Sequence, residues 1–160
     1  MMMVAKVNYL INGDDVMNAE NIYQIRKFNR FYTRVLKLTD KYHLNTHTTI
    51  LESRILLEID RNVNTANQLL QLLHLDKGYL SRVLKKMKHD GLLLDVRADH
   101  DKRIKELQLT AKGKAMLTDI NERADDQIRS LFMNIPPEQL EKIIQDMNEI
   151  RSTVKKYSDY

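Results

Sequence analysis

Hydrophobic residues recur at helical spacing along most of the chain. Between positions 20 and 43 they follow one another at three- and four-residue steps, which predicts a long amphipathic helix ending near His43. A second helix is predicted after Thr49, because Thr49 and Glu52 have the spacing of a capping box, in which each side chain satisfies a backbone N–H. This helix is predicted to end near Asn62. Its inward residues are Leu51, Ile55, Leu56 and Ile59.

Two short helices with a tight turn between them are predicted next. Thr65 and Gln68 repeat the capping-box spacing, and the segment 74–76 leaves room only for a tight turn before the second helix. The inner face of that helix has the i, i+3, i+4, i+7 spacing of Leu80, Val83, Leu84 and Met87. The opposite face carries Gly78, Arg82, Lys85 and His89. Such a pair of helices, the second basic on its outer face, is what a reader of the DNA major groove requires.

A β-hairpin is predicted directly after these helices. Gly91 can end the helix in a left-handed conformation, and alternating apolar residues then predict two strands around the polar turn 98–102. The first strand is marked by Leu92, Leu94 and Val96. The second is marked by Ile104, Leu107 and Leu109.

Two long helices complete the pattern. Thr110 is the predicted N-cap of the first, and Pro136-Pro137 separates it from the second. We therefore expect a mainly α protein with a small β-hairpin wing, a winged helix-turn-helix with long N- and C-terminal dimerisation helices. Their apolar stripes would be costly to leave in water at ~25 cal/mol per Å² of apolar area. We expect a homodimer for this reason.

Composition and charge narrow the function. The 160 residues include no cysteine, which excludes a disulfide framework, a thiol nucleophile and a cysteine zinc site, and favours the cytoplasm. No apolar run approaches transmembrane length, so we expect no membrane partner. The segment 77–105 contains nine cations and four anions, a net charge of +5, whereas the whole chain carries +4. A clustered positive charge on a near-neutral body is typical of a polyanion binder.

Metal and enzyme sites are not indicated. His43 and His47 are four residues apart and could share a zinc ion on a helical face, but they straddle the first interhelical turn and no familiar ligand spacing accompanies them. No Ser/His/Asp order, paired-carboxylate spacing or phosphate loop stands out. We therefore expect neither an enzyme nor a metal or other cofactor.

An ordered set of motifs resembles the MarR family of dimeric bacterial transcription regulators. These motifs are residues 75–82 (LDKGYLSR), 91–92 (GL), 101–103 (DKR) and 107–113 (LQLTAKG). Residues 25–34 (IRKFNRFYTR) are also similar to a MarR subgroup often fused to a GNAT-type acetyltransferase. No glycine pair here has the Gly-x-Gly spacing that cradles acetyl-CoA phosphates, so that activity is not expected.

The pattern and the resemblance together divide the chain. Residues 1–18 are polar and aperiodic and are expected to form an N-terminal arm, whereas 19–160 would be a single MarR-like domain. Within that domain, 19–45 and 111–160 would be dimerisation helices, and 48–110 the winged helix-turn-helix.

The DNA-binding residues are implied by the same resemblance. Ser81 would contact phosphate and Arg82 a base edge, and Arg103 of the wing would enter the minor groove with Asp101 orienting its guanidinium. Gly78 would avoid obstructing either DNA or the preceding helix. The full expected set is Thr65, Lys77, Gly78, Tyr79, Ser81, Arg82, Lys85, Lys86, Asp101, Lys102 and Arg103, with Lys85 and Lys86 neutralising phosphates and Tyr79 either packing on DNA or shielding the turn.

The expected function is a sequence-specific regulator, a repressor by family analogy, that binds an inverted repeat in double-stranded DNA as a homodimer. A small-molecule effector would modulate it. Four aromatic residues either line the effector pocket or belong to the core: Phe28, Phe31, Tyr32 and Tyr42. The alternative is a regulator-derived protein that binds another protein and has no effector.

Overall fold

The computed structural model describes residues 17–97 and 105–158. Its elements are α1 (Ala19–Val35), a single 3₁₀ turn (His43–Asn45), α2 (Ile50–Asp60), α3 (Ala66–Leu73), α4 (Lys77–His89), β1 (Leu93–Arg97), β2 (Lys105–Leu109), α5 (Ala111–Phe132) and α6 (Pro137–Tyr157). This order confirms the predicted class, a mainly α protein with a hairpin wing. None of the described helices is long and apolar enough to cross a membrane.

The described residues form two compact units, which divide between Lys41 and Tyr42. The first contains α1, and the second contains every later element. Most of the expected arm at 1–18 lies outside the described residues. The assignment of 19–160 to one domain stays a prediction.

The first helix is shorter than its hydrophobic pattern predicts. α1 ends at Val35 rather than near His43, because Lys37 adopts a left-handed conformation with φ 52. The N–H of Leu38 then donates to the carbonyl of Thr33, and the N–H of Lys37 to that of Arg34, each at 3.0 Å. These two bonds form a Schellman motif, which satisfies carbonyls at a helix end. Lysine in place of the usual glycine left no stop signal in the sequence.

The second unit begins its helices with the predicted caps. Thr49 and Glu52 form the capping box of α2, and Thr65 and Gln68 form that of α3. Gly91 follows the C-cap of α4 and has φ 74, the left-handed conformation expected for it at the end of that helix. The boundaries of the helix-turn-helix are thus set by local chemistry.

The hairpin differs from its prediction in phase. β1 and β2 are antiparallel, with Leu93 opposite Leu109 and Arg97 opposite Lys105. Leu93 is 3% exposed whereas Leu94 is 39% exposed, so the apolar residues that marked the strand do not all lie on its buried face. Leu92 is buried before the strand begins, and within β1 Leu93 is buried and Val96 partly buried, whereas Leu94, Asp95 and Arg97 are exposed.

The core of the second unit lies between α2, α3, α4, the hairpin and the first half of α5. Burial of each aliphatic side chain there contributes about 1.5–3 kcal/mol relative to exposure. The core residues are Ile55, Leu56, Ile59, Leu69, Leu80, Leu84, Met87, Leu92, Leu93, Leu107, Leu109, Leu117 and Ile120. They anchor α4 by one face and leave its other face to solvent.

Candidate nucleic-acid interface

The helix-turn-helix consists of two capped helices. The N–H of Gln68 donates to the Thr65 side chain at 3.3 Å, and the Gln68 side chain accepts from the N–H of Thr65 at 3.0 Å. Asp76 caps α4 by accepting from the N–H of Tyr79 at 2.9 Å. Between them His74, with φ 50 and ψ 44, ends α3 in a left-handed conformation. These caps fix where α4 starts and therefore which of its residues face outward.

The outer face of α4 is exposed, as its spacing predicted. Leu80, Leu84 and Met87 are 1%, 6% and 0% exposed and hold the helix against the core. The side chains on the other side are spaced four, three and four residues apart, as 3.6 residues per turn requires. They are Gly78, Arg82, Lys85 and His89.

Two lysines on the flanks of this face are ion-paired. The ammonium of Lys86 lies 2.7 Å from Oε1 of Glu52 in α2 and 2.9 Å from Oδ2 of Asp90. Lys88 pairs with Asp95 in β1. Because the two lysines are two residues apart, they lie about 200° apart around the helix. The expected phosphate contact of Lys86 stays a prediction, but its two carboxylate partners favour Lys85 for that role.

Three further cations of α4 are exposed: Lys77, Arg82 and Lys85. Within residues 17–97 and 105–158, none of them takes part in an ion pair. The guanidinium carbon of Arg82 lies 6.0 Å from the ring centroid of Tyr79, at the outer limit of a cation–π contact. The positive charges of Lys77, Arg82 and Lys85 are therefore available to an anion.

Gly78 lies on the same exposed surface. A Cβ built there would stand 3.2 Å from Oδ1 of Asp76 and 3.7 Å from a guanidinium nitrogen of Arg82, and it would not meet α3. Packing against the preceding helix therefore does not explain this glycine. Glycine in an exposed helix costs about 0.5–1 kcal/mol relative to alanine. The tightest neighbour is the carboxylate oxygen of Asp76 that caps α4, and a role for Gly78 in giving DNA room stays a prediction.

A groove of about 360 Å³ runs between α3 and α4. Polar side chains from both helices line it, including Asn67 of α3 and Lys77, Ser81 and Lys85 of α4. Ser81, the expected phosphate contact, is exposed on this side. Ser81 thus borders the same groove as Lys77 and Lys85.

The wing carries additional positive charge that the expected site residues did not include. Arg97 and Lys105 face each other at the distal end of the described strands, and both are exposed. Like charges directly opposite each other destabilise a strand pair. The signal in the sequence was their position on either side of the turn. The expected wing contacts Asp101, Lys102 and Arg103 lie outside the described residues, and their roles stay predictions.

Glu52 is the residue of this region whose role the sequence analysis missed. It is only 4% exposed, and burial raises the pKa of its carboxyl group. Hydrogen bonds from Lys86 and Thr49, with the charge of Lys86, outweigh burial and hold that pKa below the ordinary 4.5. The signal in the sequence was a charged residue among the apolar residues of α2.

The expected effector residues are divided between the two units. Phe28 and Tyr32 stack in α1 with ring centroids 5.5 Å apart, and Phe28 and Phe31 are about half exposed. Tyr42 is 45% exposed and belongs to the second unit. A pocket formed by these residues stays a prediction.

The histidine pair is not part of a recognisable metal centre. Among the described residues, no three His, Cys, Asp or Glu side chains could together hold a metal ion. Burial lowers the pKa of His43, whose Nδ1 has no hydrogen-bond partner within the described part of the chain. The expectation of no metal stays untested.

The segment that contains the exposed face of α4 matches a known protein family. Residues 48–104 match the model of the MarR family. No curated protein matches the chain by sequence.

Solved structures share the fold over most of the chain. A MarR family protein from Bacillus stearothermophilus is 17% identical, with a TM-score of 0.72, and the match covers 87% of this chain and 99% of that one. A mutant MarR from E. coli, complexed with operator DNA, is 21% identical, with a TM-score of 0.63 and coverage of 82% and 95%. BpsR from Bordetella bronchiseptica, in a study of how 6-hydroxynicotinic acid regulates its DNA binding, is 16% identical, with a TM-score of 0.60 and coverage of 81% and 98%.

Proposed function

The chain carries a MarR-family domain at residues 48–104 within a winged helix fold shared with MarR-family proteins, and from this premise we propose that it is a sequence-specific, DNA-binding transcription regulator. In this proposal α4 enters the major groove, as the second helix of a helix-turn-helix does. The wing lies beside it and contacts the DNA backbone and the minor groove.

One observation carries the proposal: the charge arrangement on α4. Lys86 and Lys88, on its flanks, are paired with carboxylates, whereas Arg82 and Lys85, between them, are exposed and have no such partner in the described chain. Gly78 adds a surface without a side chain to the same face. A phosphate backbone supplies the anions that this face lacks, and the absence of a Cβ permits close approach.

The roles of individual residues follow from their side-chain chemistry. Arg82 has the planar fork that pairs bidentately with guanine O6 and N7, so we assign it a base edge. Ser81 and Lys85 border the groove between α3 and α4 and are assigned phosphate contacts. Thr65 and Lys77 stand at the starts of α3 and α4, where helix N-termini favour anions.

The wing is assigned contacts on both sides of its tip. Arg97 and Lys105 concentrate positive charge at the base of the tip, which supports a phosphate contact there. Arg103 would insert into the minor groove, Asp101 would orient it, and Lys102 would neutralise a phosphate.

A second copy of the chain is the proposed partner of the C-terminal helix. α6 exposes Ile144, Ile150 and Val154, at 50%, 57% and 49%. These residues are spaced six and four apart, and covering them from water would favour association at ~25 cal/mol per Å². A homodimer is also typical of the MarR family and would present two copies of α4 to an inverted repeat.

Repression and control by a small molecule complete the proposal. BpsR, whose DNA binding is regulated by 6-hydroxynicotinic acid, supports the class of control without identifying an effector for this chain. A protein-binding derivative without an effector is the less supported alternative, because it would not require exposed, unpaired cations around Gly78.

Selection of bound DNA from a random pool tests this function directly. We expect an inverted repeat whose half-sites lie ~10 bp apart, since a two-fold dimer places its recognition helices one turn of DNA apart. Asymmetric sites, variable spacing or no enrichment would contradict the proposal.

A further inference from the structure

Glu52 is a carboxylate that α2 buries against the side of α4. Both of its oxygens are engaged: Oε2 accepts from the N–H of Thr49 at 2.7 Å, and Oε1 accepts from the ammonium of Lys86 at 2.7 Å. A buried carboxylate is destabilising unless it is paired and hydrogen-bonded, and here both conditions are met. The bond to Lys86 joins positions 34 residues apart, so it links α2 to α4.

The second capping box of the chain shows what capping alone requires. In α3 the side-chain oxygen of Gln68 accepts from the N–H of Thr65 at 3.0 Å and from the Thr65 hydroxyl at 2.9 Å. Gln68 is exposed and uncharged, so an amide is sufficient for the cap. The negative charge of Glu52 therefore serves Lys86.

Asp90, at the C-terminal end of α4, also needs the positive charge of Lys86. As the C-cap of the helix it places a negative charge where the helix dipole is already negative, which is unfavourable on its own. Lys86 offsets that charge at 2.9 Å, and Lys112 of α5 donates to the backbone carbonyl of Asp90 at 2.7 Å. The charge of Lys86 is thus used within the protein, at the edge of the exposed face.

We propose that Glu52 and Lys86 are positioning residues whose ion pair refines the rotation of α4 that its caps and buried face establish, and so directs Arg82 toward DNA. Lys86 lies one helical turn after Arg82, so the two side chains move together when the helix rotates. The pair Lys88–Asp95 holds the opposite flank. This inference rests on the proposed DNA-binding function, and it replaces the expected phosphate contact of Lys86.

The substitution Glu52→Gln should change affinity for DNA in opposite directions according to whether Lys86 positions α4 or contacts a phosphate. The amide preserves the cap and leaves Lys86 its partner Asp90, so the fold is retained. For a positioning role we expect affinity for the selected operator to fall by up to about tenfold, because α4 without this ion pair spends less time in the orientation that binds, with an unchanged salt slope. For a phosphate contact, removing a competing carboxylate would increase affinity and steepen the slope.

The variants Lys85→Met and Lys86→Met provide a matched comparison, because each removes one positive charge from neighbouring positions of α4. Lys85→Met should weaken binding to all DNA and flatten the slope of log K against log salt by about 0.9 per contact, or about 1.8 per dimer. Lys86→Met should weaken operator binding more than binding to unrelated DNA and leave the slope at the parent value. An equal flattening by both variants would overturn the proposal.

Urea unfolding without DNA tests the ion pair separately. Glu52→Gln and Lys86→Met should each lower the unfolding midpoint, and their combination should lower it by less than the two single shifts together. Gln68→Glu, the reverse exchange in the exposed capping box, should barely shift it. Additive shifts would overturn the proposal. A parent protein that selects no DNA would refute the proposed function, whereas a parent that binds its operator no better than Glu52→Gln would refute the positioning role alone.

Discussion

Gly113 in the first turn of α5 lies against the backbone of Leu92, so close that a Cβ at Gly113 would overlap the Leu92 carbonyl oxygen. Around this contact, the hydroxyl of Thr110 donates to the carbonyl of Gly91 at 2.6 Å, and the ammonium of Lys112 donates to that of Asp90 at 2.7 Å. The start of α5 therefore holds three successive residues that follow α4. The end of α4 is thus fixed to the start of α5.

Gly113→Ala should destabilise the fold by about 1–3 kcal/mol, because the methyl group must displace backbone rather than a flexible side chain. Denaturant unfolding of the parent and the variant measures the change. Alanine normally stabilises a helix relative to glycine, so an unchanged or increased free energy of unfolding would show that this contact does not constrain the two segments.

Gly78→Ala should separate DNA binding from folding. The new methyl group would lie 3.2 Å from the capping oxygen Oδ1 of Asp76, an exposed side chain that can shift by a few tenths of an ångström, so we expect the free energy of unfolding to change by less than about 1 kcal/mol. Affinity for the selected operator should fall, because the methyl group occupies the space proposed for DNA. Equal operator affinity in the two proteins, both folded, would remove the functional reason for this glycine.

Acid should weaken the contribution of Glu52 to stability. Its folded pKa lies below 4.5, so its stabilising effect is complete above pH 4.5 and is lost as the pH falls through the lower folded pKa. The difference in free energy of unfolding between the parent and Glu52→Gln should therefore shrink as the solution is acidified from about pH 6 to about pH 3. A difference that grows on acidification would contradict the ion pair.

Local chemistry made much of the fold predictable. Both capping boxes, the left-handed Gly91 and the N-cap at Thr110 depend on residues at most a few positions apart, and the structure has each of them. The outward face of α4 followed from periodicity alone, because one helix face must enter the core.

The errors arose where contacts are remote or the usual residue is absent. Lys37 ends α1 in a conformation that glycine normally takes, and three consecutive leucines left the phase of β1 open until the core selected Leu93. The pairing of Lys86 with Glu52 was also missed, because Glu52 is 34 positions away, although the expected phosphate contact of Lys86 itself stays a prediction. Separating paired from available cations on α4 required the structure.

Arg82→Ala is the most direct test of the claim that α4 reads base sequence. The variant and the parent would be titrated against the selected operator and against unrelated DNA at the same salt concentration, with folding verified by their unfolding curves. Loss of a bidentate base contact should cost about 1–3 kcal/mol on the operator and much less on unrelated DNA. An equal loss on both DNAs, or none on the operator, would contradict the account.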